Sequence, residues 1–103
     1  MIRITLHSKD GQITGFECLG HAGFAQAGQD IVCAAVSILT TTCVNALETV
    51  AGEKPQVQAS SGRMVMALPG GGSHDAQIIL QAMRQGLRDL KDAYSDYLLL
   101  NEQ

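Results

Sequence analysis

The chain has 103 residues, 46% of them from the set AVILMFWYC and 17% charged, which is enough for one hydrophobic core and too little for two. Those proportions exclude a disordered chain, and a formal net charge of -3 without a Lys/Arg cluster removes the electrostatic basis for direct nucleic-acid binding. No signal-type apolar core follows Met1 and no 18 apolar residues run together, so a cytoplasmic domain with no membrane partner is expected.

Ile2, Ile4 and Leu6 alternate with Arg3, Thr5 and His7, the period of a half-buried strand with His7 on its polar face. Asp10-Gly11 signals a tight turn, and residues 12 to 19 resume a strand, giving a hairpin. Alternation puts Thr14, Phe16 and Cys18 on one face, with Cys18 as a packed thiol of raised pKa. Residues 20 to 29 contain three glycines and no apolar period, so they form a loop.

Asp30 stands at an N-cap position, and residues 31 to about 51 form a helix that Gly52 and Pro55 terminate. Ile31, Val32, Ala35, Val36, Ile38, Leu39, Val44 and Leu47 cover so much of its circumference that it is expected to be largely buried. Residues 55 to 60 and 63 to 68 read as a second hairpin. Pro69 to Gly72 lacks the G-K-[ST] ending of a phosphate loop and reads as a flexible connection. Ser73 caps a second, amphipathic helix with His74 facing solvent, and residues 97 to 100 fit either a last strand or an extension of that helix. The fold class that follows is α+β: a two-layer, mostly antiparallel sheet of four or five strands packed against two helices, in a single domain.

Cys18, Cys33 and Cys43 lack C-x-x-C pairing, and the histidines lack ligand spacing, so neither a metal nor another cofactor is expected. Cys43 reads as buried packing. Cys33 falls in the first turn of the helix that Asp30 caps, where the partial positive charge of the helix end favours a thiolate. His21 lies upstream across the glycine-rich loop, which can fold back to bring imidazole to sulfur. By spacing alone, a packed cysteine and a surface histidine fit as well. Backbone N–H groups at the helix start are expected to hold a developing oxyanion.

The run G-H-A at 20 to 22 and the later G-Q-D-I-V-C-A-A-V-S at 28 to 37, within this order of elements, resemble the ribosomal-processing cysteine protease family, Prp. The resemblance spans essentially the whole chain. It implies a homodimeric cysteine endopeptidase that removes the N-terminal extension of a bacterial large-subunit ribosomal protein, its precursor being the partner. Carried onto this sequence, His21 is the acid/base and Cys33 the nucleophile. Asp30 and Ser37 also match the pattern. Asp30 either orients His21 or only caps the helix, and Ser37 either bonds the preceding turn or meets substrate. The loop, with Gly20, Ala22, Gly23, Phe24 and Gly28, is expected to act as a mobile gate over an extended peptide. Without substrate, His21 and Cys33 are expected close together but not necessarily hydrogen-bonded. The competing reading is a non-catalytic ribosome-associated interaction module in which both residues merely pack.

Overall fold

The computed structural model describes residues 1–26 and 29–103. β1 (Ile2–Lys9) and β2 (Gln12–Leu19) form the first hairpin, with Asp10 at a φ of 54° in the turn. α1 (Ile31–Thr49) follows, then the hairpin of β3 (Gln56–Ser60) and β4 (Arg63–Ala67), α2 (His74–Ala93) and β5 (Leu98–Glu102). The sheet order is β3-β4-β2-β1-β5. Three of its pairings are antiparallel, and β5 joins β1 in parallel, so the sheet is mixed. The terminal segment that periodicity left open is therefore a strand. Ile2 N donates to Tyr97 O at 2.9 Å and leads the chain into that pairing.

Ile2, Ile4, Leu6, Phe16, Met66 and Leu98 from the sheet pack with Val32, Leu47, Leu80, Met83 and Leu87 from the helices in one core. The alternation read for β2 fails at one point. His7 pairs with Gly15 and Ser8 with Ile13, which leaves Thr14 as the extra residue of a β-bulge. Thr14 thus leaves the face of Phe16 and Cys18, and Ile13 joins the core at 2% exposure. The bulge frees the backbone of Ile13, and the buried Gln77 side chain on α2 replaces the missing partner. Ile13 N donates to Gln77 Oε1, and Gln77 Nε2 donates to Ile13 O, both at 2.9 Å.

The segment from Pro69 to Gly72 is tied down rather than loose. Gln77 Nε2 also donates to Gly71 O at 2.6 Å, and a Cβ at Gly71 would come within 2.6 Å of that nitrogen, so only glycine fits the approach. Ser73 N donates to Glu53 Oε1 at 2.9 Å, placing an intramolecular carboxylate at the start of α2. Ser73 caps α2 through Ala76 N, and His74 is exposed as expected.

α1 departs from the expected burial. Its inward stripe is Val32, Val36, Thr40, Val44 and Leu47, whereas Ile31 and Ile38 are 54% and 66% exposed. Two helices on one sheet face leave the outer side of α1 uncovered, so an apolar circumference does not imply an enclosed helix. Its mean hydropathy of 1.6 would also suit a membrane span by length and composition, and the inward stripe shows how the chain uses it.

Candidate active site

Asp30 joins the loop to the helix. Its Oδ1 accepts from Val32 N at 3.0 Å and Cys33 N at 2.9 Å, and its Oδ2 accepts from Phe24 N at 3.1 Å. The first two bonds are the N-cap that the sequence predicted. The third draws the loop against the helix start. Among the described residues no hydrogen bond joins Asp30 to His21, so the geometry favours a cap and clamp over a histidine-orienting role. The Cys33 N–H is the largest cause holding the Asp30 carboxyl below its ordinary 3.8; burial opposes it, and the Phe24 N–H adds to it.

A carboxyl lowered on folding stabilises the folded state above its unfolded pKa, and that contribution is lost as pH falls through its folded value. The loop-to-helix junction is therefore expected to be fully held at neutral pH and to loosen only below about pH 4. Hydrogen exchange of the Phe24 and Cys33 amides, corrected for intrinsic rates, checks this. Protection that stayed flat to pH 2.5, or fell already near pH 6, would contradict it.

Cys33 is half-buried in the first turn of α1, and its Sγ accepts a hydrogen bond from Ala22 N at 3.2 Å. Such a bond strengthens when the sulfur carries charge. The expectation for the oxyanion narrows at this point. The amides of Val32 and Cys33 are committed to the Asp30 side chain, and Ala34 N donates to Asp30 O at 3.0 Å. The Ala22 N–H reaches the sulfur from the loop side instead.

His21 is exposed and rests on the turn between β3 and β4. Gly20 N donates to Gly62 O at 2.8 Å, and a Cβ at Gly62 would lie 3.0 Å from His21 Nε2. Gly62 also has a φ of 71°, so the turn needs glycine both for its backbone and to leave room for the imidazole. No hydrogen bond joins His21 to Cys33 among the described residues, yet both line the same two cavities. One, of about 310 Å³, has a floor of Ile2, Cys18, Ala59 and Met64 and a wall of Val36 and Thr40. The other, of about 520 Å³, is bounded by Gly23, Ala25, Asp30 and Ala34. His21, Cys33 and Ser37 belong to both, so the residues singled out from the sequence stand where the two depressions meet.

Ser37 is exposed at that junction, and its hydroxyl makes no hydrogen bond among the described residues. The reading that ties it to the preceding turn is not what the structure shows. Of the gate residues, Ala22 is buried, Phe24 turns away from the cavities, and Gly28 lies outside the described residues. Cys18 is 9% exposed, and burial, aided by the charge of Glu17, pushes its thiol up to about 12. Burial likewise raises Cys43. Both remain thiols at neutral pH, as a packing role requires.

The model of the family described as cysteine protease Prp matches residues 1–99. This chain belongs to that family. The ribosomal processing cysteine protease Prp of Bacillus subtilis (strain 168) is 33% identical over 105 residues, covering 95% of this chain and 94% of the relative. Its counterpart in Staphylococcus aureus is 30% identical, covering 98% of each chain. The solved structure of the S. aureus Prp with a covalently linked product peptide superposes with a TM-score of 0.95 at 29% identity, covering both chains fully. The same protease with a substrate peptide gives 0.89 at 28%. As a Prp family member this protein is a cysteine protease with an α+β fold, and the non-catalytic reading is not favoured.

Proposed function

We propose that the protein is the endopeptidase that removes the N-terminal extension of a large-subunit ribosomal protein in the cytoplasm, with Cys33 as nucleophile and His21 as acid/base. The observation that carries this reading is the meeting of His21 and Cys33 at the junction of two cavities. The peptides bound to the S. aureus relative, one of them covalently, support it. Cys33 Sγ attacks the scissile carbonyl carbon, and a C–S bond forms as negative charge collects on oxygen beside the Ala22 N–H. His21, which has taken the proton of the Cys33 thiol, gives it to the leaving amine as the C–N bond breaks. It then takes a proton from water, whose oxygen attacks the thioester and releases the acid and the Cys33 thiolate. The part of the gate loop from Gly20 to Gln26 shifts as the peptide enters. Incubating the Cys33→Ala variant with a precursor peptide tests the assignment, and undiminished cleavage would overturn it.

A homodimer is supported by Ile31 and Ile38, seven residues apart and exposed along α1. Large apolar side chains at this exposure on a small domain mark an association surface. Ile38→Glu is expected to shift the protein from dimer to monomer in sedimentation at micromolar concentration, with little change in far-UV circular dichroism. An unchanged sedimentation coefficient would place the contact elsewhere.

A further inference from the structure

Phe16, Phe24, Tyr94 and Tyr97 are the only aromatic residues of the chain, and three of them meet beside the site rather than in the core. The Phe24 ring lies 5.8 Å from that of Tyr94 at 87° and 5.1 Å from that of Tyr97 at 66°, both edge-to-face as ring quadrupoles prefer. The two tyrosines form a rigid base. Tyr94 is the C-cap of α2, Tyr97 N donates to Tyr94 O at 2.9 Å, and Tyr97 O holds Ile2 N.

On the loop side, the same short segment carries three parts of the site. Two residues before Phe24, Ala22 N donates to Cys33 Sγ; at Phe24 itself the amide bonds Asp30; and on either side Gly23 and Ala25 line the larger cavity. The ring faces the tyrosines while its neighbours face the cavity, so moving the ring moves the cavity wall and the amide together. Phe24 remains 39% exposed, while the tyrosines are half-buried and packed against the core. We propose that Phe24, Tyr94 and Tyr97 form an aromatic clasp that positions the Ala22 N–H against Cys33 and sets the wall of the larger cavity. Tyr94 and Tyr97 are then positioning residues for peptide cleavage. This rests on Cys33 being the nucleophile.

The test compares Phe24→Ala, Tyr97→Leu and Tyr97→Phe in peptide cleavage, in the pH profile of Cys33 alkylation by iodoacetamide followed by mass spectrometry, and in thermal unfolding. The charged and titratable groups that share the surroundings of Cys33 are His21 and Asp30 from the loop, Cys18 from β2 and Arg63 from β4, and all are retained in these variants. Phe24→Ala and Tyr97→Leu are expected to raise KM about tenfold and to move the alkylation midpoint up by about half a pH unit. Tyr97→Phe, which keeps the ring, is expected to restore both. An unmoved midpoint and KM, or a loss of activity that only follows Tm, would overturn the clasp. Cys33→Ala assayed alongside separates the two claims. If it still cleaves, the nucleophile assignment falls and takes the clasp's role with it. If it is inactive while Phe24→Ala and Tyr97→Leu behave as the parent, the clasp alone falls.

Discussion

Replacing Cys33 by alanine is expected to lower cleavage of a precursor peptide by roughly 10^4-fold or more, about 5.4 kcal/mol of transition-state stabilisation, with the fold intact. In the proposed mechanism the acyl intermediate forms on this thiol, whereas the helix cap uses the backbone N–H of Cys33, which alanine keeps. His21→Ala is expected to cost less, about 10^2- to 10^4-fold, because the sulfur still attacks while the departing amine lacks its proton donor. The exposed imidazole over Gly62 leaves no core cavity behind, so unchanged far-UV circular dichroism and Tm accompany the loss. A Cys33→Ala variant within tenfold of the parent would contradict the assignment.

The largest expected effect on stability lies at Gln77. Gln77→Met keeps about the same side-chain length but strips Ile13 N, Ile13 O and Gly71 O of their partners in the buried bulge. Three orphaned buried groups at 1 kcal/mol or more apiece cost about 3 kcal/mol, a fall in Tm on the order of 15 °C for a domain of this size. Differential scanning calorimetry checks it. A Tm within about 3 °C of the parent would show that the bulge is satisfied by other means, and Gln77→Glu, which sets a buried carboxylate oxygen against the carbonyls of Ile13 and Gly71, should fall at least as far.

Much of the fold was legible because its signals are local. Asp10-Gly11 fixes a turn, Asp30 and Ser73 are caps whose side chains reach amides two or three residues on, and both hairpins alternate over short runs. What escaped the sequence depends on distant partners. A bulge at Thr14 shifts the alternation by one residue, and only Gln77, from another element, makes it tolerable. The exposed side of α1 carries Ile31 and Ile38 and is apolar like its buried stripe, so periodicity cannot tell which side a sheet covers. Parallel pairing of β5 with β1 follows from where α2 ends.

The candidate site divides the same way. His21 and Cys33 were found by residue type, a glycine-rich loop and a helix start. The Asp30 clamp on Phe24, the Ala22 bond to sulfur and the stacking of Phe24 on Tyr94 and Tyr97 arise only once the loop has folded back. Two of the helix-start amides, those of Val32 and Cys33, are taken by the cap itself. The loop brings a further amide, that of Ala22, to the sulfur.

Mass spectrometry of the intact protein and its chymotryptic peptides, after brief incubation with a precursor peptide and acid quenching, tests the nucleophile most directly. Cuts after Phe24 and Leu39 divide the chain so that each cysteine lies on its own fragment. An acyl adduct is expected on the fragment containing Cys33, absent from those containing Cys18 and Cys43, and formed more slowly by His21→Ala. An adduct on either of the other cysteines, or full turnover with Cys33 replaced, would contradict the assignment.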